Sequence, residues 1–96
     1  MKITVFNDDC ENLFIFVQED DFPVSGMLIS KQASTGNLHD DLDLFDGSGL
    51  GTVYDGSAAT VIALRLWNMA FAEITDDGVK PLRGLGDDEK TYLGIR

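Results

Sequence analysis

The chain has 96 residues, 44% of them hydrophobic, which is enough for one modest core, so residues 1–96 are predicted to form a single domain. Seventeen acidic residues against seven basic ones give a formal net charge of −10 at pH 7. This charge repels the phosphates of nucleic acids and of anionic membranes, so neither is an expected partner, and cations and basic protein surfaces remain.

Cysteine and histidine are each present once, as Cys10 and His39. One of each cannot build a disulfide framework or a zinc site. The apolar run near the start of the chain is too short for a signal peptide, and no later stretch is long enough to cross a membrane. A cytoplasmic location is therefore expected.

Two strands are predicted near the start of the chain, over residues 2–7 and 12–18, because both are rich in β-branched and aromatic residues. The short acidic segment between them is typical of a turn, which makes the pair a hairpin. The second strand is apolar at odd and even positions alike. It is therefore expected to be a central strand covered on both sides, or to offer one face to a partner. Residues 24–31 predict a third strand of the same antiparallel sheet.

The middle segment, residues 38–46, allows two interpretations. Its leucines and phenylalanine have helical spacing behind Asn37, a capping residue, which favours a short helix. The alternation of Asp with Leu, and the Asp-Gly-Ser-Gly turn that follows, instead favour a hairpin leading into a strand over residues 50–54. Acidic residues are unfavourable at the C-terminal end of a helix, so the hairpin is preferred.

One long helix is predicted over residues 57–74 (SAATVIALRLWNMAFAEI), with Leu64, Trp67 and Phe71 in the core. It is apolar almost all round, which is typical of a helix buried on more than one side. A sheet covers one side, and the middle segment or a second subunit must cover the other. A homodimer is one hypothesis that follows.

The C-terminal part is predicted to contain a loop over residues 78–89 and a last strand over residues 90–95. The predicted fold class is therefore α+β. It consists of a small antiparallel sheet of four to six strands with one long, largely buried helix packed on it.

Three patterns that suggest chemistry do not hold in detail. The glycines of residues 47–52 (GSGLGT) lack the spacing of a nucleotide-binding loop, and no Lys-Ser or Lys-Thr follows. The middle acidic cluster lacks the glycine and the glutamate that a calcium loop requires. Nothing brings Cys10 and His39 together as a nucleophile and a base. No cofactor, metal or catalytic residue is predicted, and the chain is not expected to be an enzyme.

The acidic residues carry the remaining signal. Thirteen of the seventeen are Asp, and many occur as doublets at predicted turns, where Asp is favoured for local hydrogen bonding. Four fall within seven residues, close enough to repel one another. These four are the predicted partner-binding residues: Asp40, Asp41, Asp43 and Asp46.

Small size, negative charge and the lack of a catalytic motif are typical of the acidic inhibitors that phages and mobile elements direct against host defence nucleases. Such an inhibitor binds a basic protein surface and can do so by imitating the charge of a nucleic acid. A toxin-neutralising immunity protein, or a small structural or assembly subunit of a virion, has the same general profile. Inhibition is the preferred hypothesis, and these two are the alternatives.

Overall fold

The computed structural model describes residues 1–8, 10–20, 22–46 and 51–95, without the side chains of residues 22, 23 and 46. Within these ranges the chain is an α+β fold with six strands and three short α-helices. The strands are β1 Lys2–Asn7, β2 Asn12–Glu19, β3 Phe22–Ser30, β4 Gly51–Asp55, β5 Ala70–Thr75 and β6 Gly78–Pro81. The helices are α1 Leu38–Asp43, α2 Gly56–Arg65 and α3 Asp87–Leu93, with short 3-10 turns at Leu44–Asp46 and Trp67–Met69.

The six strands form one antiparallel sheet in the order β4-β3-β2-β1-β5-β6. The predicted hairpin of the first two strands is confirmed, with the register running from Lys2 opposite Gln18 to Asn7 opposite Leu13. The prediction of a third neighbouring strand is confirmed as β3. The prediction that β2 is a central strand covered on both sides is also confirmed, because its residues 13–16 are buried whichever face they point to.

Alternation along the central strands divides the core between the two faces of the sheet. On one face α2 covers a cluster in which three phenylalanines meet three alanines: Phe6, Phe14, Phe16, Ala59, Ala63 and Ala70. On the other face α1 and α3 cover a second, mainly aliphatic cluster: Ile3, Val5, Leu13, Ile15, Met27, Ile29, Leu38, Phe71, Ala72 and Tyr92. The sheet is therefore the middle of three layers.

The prediction of one long buried helix over residues 57–74 is wrong, because α2 ends at Arg65 and residues 70–75 form β5. Beside β1, this segment satisfies the backbone hydrogen-bonding groups along one side of a central strand, which no helix could do. Phe71 is buried as predicted, but from a strand. Leu64 and Trp67 are 68% and 56% exposed, so their predicted place in the core is also wrong.

The middle and C-terminal predictions also need correction. Residues 38–43 form α1 rather than a hairpin strand, and the Asn37 side chain accepts a hydrogen bond from the Asp40 N–H at 3.3 Å, as a helix cap does. The predicted strand that follows is confirmed as β4 from residue 51 on; residue 50 lies outside the described residues. Residues 78–81, predicted as a loop, form β6. The predicted last strand is instead α3, which ends at Gly94 with φ of 75°, a conformation that glycine adopts without strain.

A close approach between neighbouring strands requires glycine at position 26 of β3. A β-carbon at Gly26 would lie 2.3 Å from Cζ of Phe14 on β2. That ring cannot move aside easily, because it is fully buried and its centroid lies 5.7 Å from the Phe6 ring and 6.3 Å from the Phe16 ring. The packing of the phenylalanines under α2 therefore depends on the absence of a side chain at position 26.

We expect Gly26→Ala to lower the free energy of unfolding by about 1–3 kcal/mol, the usual result of overpacking a core. Gly84→Ala is the matched control, since a β-carbon there meets nothing within 4 Å, and we expect it to change stability by less than about 1 kcal/mol. Urea unfolding followed by circular dichroism measures both. Equal midpoints for Gly26→Ala and the wild type would show that the Phe14 ring is not held as described.

Candidate functional site

The four predicted partner-binding acids do not form one surface. Asp40 and Asp43 are exposed on α1. Asp46 ends the 3-10 turn after α1, and its side chain lies outside the described residues. Asp41 has no exposed surface, so it cannot meet a partner directly, and its place in the predicted site is corrected here.

The carboxylate of Asp41 is instead the centre of a buried hydrogen-bond network. Its Oδ1 accepts from both the N–H and the hydroxyl of Thr35, each at 2.8 Å. Its Oδ2 accepts from the hydroxyls of Ser34 and Tyr92, each at 2.5 Å. One carboxylate therefore ties the loop before α1, α1 itself and α3 together.

The hydrogen bonds to Asp41 determine whether its carboxyl group is ionised. Burial alone would raise the pKa of Asp41, but the hydrogen bonds donated by Ser34, Tyr92 and Thr35 outweigh it and hold the pKa below the ordinary value of 3.8. Burial, together with the hydrogen bond to Asp41 and its charge, raises the pKa of the Tyr92 phenol. Asp41 is therefore an ionised acceptor, and a carboxylate with a lowered pKa is a poor general base for Ser34.

A groove of about 720 Å³ opens beside this network, over Asn7, Leu13 and Phe71. Lys31 lies on one wall, and the first turn of α3, with Asp87 and Asp88, lies on the other. Of the hydroxyl-bearing residues that line the groove, Ser34 and Tyr92 donate to Asp41 and are occupied by it. The groove thus has walls of mixed charge and a floor in which the polar Asn7 lies beside the apolar Leu13 and Phe71.

The opposite end of the sheet is mainly acidic. The strand register places Asp55, Ser25, Val17, Ile3 and Ile74 in one row across five strands. Just beyond this row lie the turn between β2 and β3 and the turn between β5 and β6. Together with the end of β4, these turns carry five exposed carboxylates, which we call the acidic rim: Glu19, Asp20, Asp55, Asp76 and Asp77.

The acidic rim is about 20 Å long, given a spacing of about 4.8 Å between strands. Among the described residues the salt bridges are Lys2 with Glu73, at 3.2 Å, and Arg83 with Glu89, at 2.5 Å. Neither involves a rim carboxylate, although Lys2 lies at the same end of the sheet. The rim therefore presents negative charge that no salt bridge within the described part of the chain offsets.

The sequence alone does not identify the rim as a site, although it contains one signal for it. Acidic doublets mark predicted turns, but the doublet Asp76-Asp77 follows the predicted long helix and not a predicted strand. Only the strand order shows that the turns near Asp20 and Asp76 lie at the same end of one sheet. Asp21, which forms a doublet with Asp20, lies outside the described residues.

We expect Asp41→Asn to lower the free energy of unfolding by about 2–3 kcal/mol at pH 7, because an amide replaces a charged acceptor of four hydrogen bonds. Asp40→Asn changes the exposed neighbour and is the matched control, with an expected loss of less than about 1 kcal/mol. Equal losses for the two variants would contradict the assigned network.

The pH dependence of stability provides a second test of the same group. Because the folded-state pKa of Asp41 is lowered, its contribution to stability is complete above the unfolded pKa near 3.8 and is lost as the pH falls through the lower folded value. The stability difference between wild type and Asp41→Asn should therefore shrink below pH 4. A difference that stays constant from pH 7 to pH 2 in chemical unfolding would contradict an ionised Asp41.

The described residues hold few other candidates for chemistry. Cys10 is exposed in the turn between β1 and β2, and His39 is exposed on α1, with no hydrogen bond joining them in the described ranges. The described part of the chain contains no group of three metal-binding side chains and no helix that is long and apolar enough to span a membrane. Comparisons with protein-family models, with curated proteins and with solved structures found no match.

Proposed function

We propose that this protein is a small acidic inhibitor that binds the basic, nucleic-acid-binding surface of another protein through its acidic rim. The observation that carries the proposal is the position of five exposed carboxylates along one end of the sheet, none of them in a salt bridge within the described ranges. Host defence nucleases are the class of target that fits, because their substrate surfaces are basic.

The shape of the rim suits such a partner. Its carboxylates are held on hairpin turns and on a strand end, so their positions follow from the strand register rather than from long flexible side chains. A row about 20 Å long spans several nucleotides of a nucleic-acid backbone. Arginine and lysine side chains that normally bind phosphates would meet carboxylates instead, which favours fast association that weakens as salt increases.

The exposed acids of α1 are a second surface that the same partner can contact. Asp40 and Asp43 are three residues apart on one helix, but the burial of Asp41 leaves only this pair exposed among the predicted residues with described side chains. The rim has more than twice as many exposed carboxylates. We therefore assign the larger contribution to the rim and the smaller one to α1.

Three variants that each remove two charges test this assignment. Asp76→Asn with Asp77→Asn changes the rim, and Asp40→Asn with Asp43→Asn changes α1. The matched control is Asp87→Asn with Asp88→Asn, an exposed Asp doublet at the opposite end of the sheet. Asn is tolerated in turns, and circular dichroism verifies that each variant folds.

The partner is first captured on immobilised wild-type protein from a nuclease-treated bacterial lysate and released with a duplex DNA oligonucleotide. Release by DNA selects proteins held at a nucleic-acid-binding surface. With the purified partner, we expect the rim variant to bind 5- to 30-fold more weakly, at about 0.5–1 kcal/mol for each carboxylate, and the α3 doublet variant to bind within about threefold of wild type.

Two results would contradict the proposal. DNA that releases nothing beyond the amount from beads without protein would argue against a nucleic-acid-binding target. A purified partner that loses affinity for the α1 variant but not for the rim variant would move the site to α1.

A further inference from the structure

A stripe of three apolar side chains is exposed along the outer side of α2 and the 3-10 turn that follows. Val61, Leu64 and Trp67 are 48%, 68% and 56% exposed, and we call them the α2 stripe. They are three residues apart, so they follow one another along the same side of the helical segment. The opposite side of α2 packs on the sheet through Ala59 and Ala63. Exposed apolar side chains in such a row are typical of an interaction surface.

The charge around the α2 stripe points to one kind of partner. Residues 56–72 contain no Asp or Glu, and Arg65 is the only charged residue among them. Two copies of a chain with a charge of −10 repel each other, and the repulsion is weakest where the facing surfaces carry no carboxylates. A basic partner has the opposite preference, for the acidic rim. The outer side of α2, which carries no carboxylate after the N-cap residue Asp55, therefore suits a second copy of the same chain.

The order of the three side chains makes the α2 stripe complementary to itself. Leu64 lies in the middle, with the smaller Val61 before it and the larger Trp67 after it. In an antiparallel pair of helices about a two-fold axis, Leu64 meets Leu64 of the second copy and each Trp67 meets a Val61. Large side chains then face small ones at both ends, which is how closely packed interfaces are filled.

The Trp67 ring is also held in place before any partner binds. Its centroid lies 6.4 Å from that of the buried Phe6 ring, with an angle of 54° between the planes. A side chain that is already oriented loses little conformational freedom on association, and tryptophan is common at the energetic centres of interfaces. We propose that the α2 stripe is the interface of an antiparallel, two-fold symmetric homodimer.

This dimer is independent of the proposed inhibitory function, and salt separates the two. Binding of the rim to a basic partner weakens as salt increases, since attraction is screened. Dimerisation through the α2 stripe strengthens over the same range, because salt screens the repulsion between two chains of like charge. Either interaction can therefore fail in experiments while the other is observed.

Sedimentation equilibrium of the purified protein, from micromolar to millimolar concentration at 50 mM and 500 mM NaCl, tests the proposal. We expect a monomer–dimer equilibrium whose dissociation constant falls at least threefold at the higher salt. Trp67 is the only tryptophan, so its fluorescence emission reports on the proposed interface directly. The emission should shift to shorter wavelength over the same concentrations at which the dimer forms.

Leu64→Glu places a carboxylate from each copy at the two-fold axis, and we expect it to raise the dissociation constant at least 100-fold and to abolish the emission shift. Gln32→Glu is the matched control, because it adds the same charge at an exposed position outside α2, and should bind within about threefold of wild type. A wild-type protein that stays monomeric at millimolar concentration would overturn the proposal. So would a dimer that forms without an emission shift, or that survives Leu64→Glu.

Discussion

The β1–β2 hairpin is apolar on both faces, and most of the architecture follows from the need to cover both. Phe6, Phe14 and Phe16 point to one side, and Ile3, Val5 and Ile15 to the other, all buried. Exposing either set would leave several large side chains in water at a cost of about 1.5–3 kcal/mol each. A sheet with one layer of helices covers only half of this surface. The short chain therefore builds two thin helical layers, one on each face.

The two helical layers are attached to the sheet by different physical means. On the phenylalanine face α2 packs through alanines, whose small side chains let the helix approach the rings closely, and Gly26 makes room for Phe14. On the aliphatic face α1 and α3 are short helices that bury few side chains of their own. There the buried carboxylate of Asp41 connects both helices to the loop before α1 through directional hydrogen bonds. Apolar side chains of the same layer, among them Leu42, Phe45 and Leu93, pack beside this network.

The apolar residues lie in the sheet and in the two helical layers that cover it. The charged side chains therefore lie at the ends of the sheet and on the outer surfaces of the helices. Aspartates that suit turns for local reasons lie at both ends of the sheet, and those of the β2–β3 and β5–β6 turns share one end because antiparallel hairpin turns alternate between the two ends. The cost is electrostatic repulsion within the acidic rim, which a basic partner would relieve. The same distribution leaves α2 without carboxylates after its N-cap residue Asp55, so the α2 stripe lies outside the acidic rim.

The sequence by itself determined the first three strands and their antiparallel order, because alternating apolar residues and an acidic turn are local signals. It also determined the α+β class and the net negative charge. It did not determine where the helix after Gly56 ends, since residues 70–75 are apolar enough for either a helix or a strand. In the folded protein residues 70–75 pair with the side of β1 that β2 leaves free, and this pairing requires a strand.

The candidate sites divide in the same way. The sequence identified Asp40 and Asp43 as exposed acids, but it could not distinguish them from Asp41. That distinction depends on Tyr92, 51 residues further along the chain, which donates to Asp41 only after α3 has packed beside α1. Strand order brings the residues of the acidic rim together, and the packing of α2 on the sheet leaves the α2 stripe exposed. Both surfaces depend on long-range pairing, because local patterns do not specify which turns lie at the same end of a sheet or which side of a helix faces the sheet.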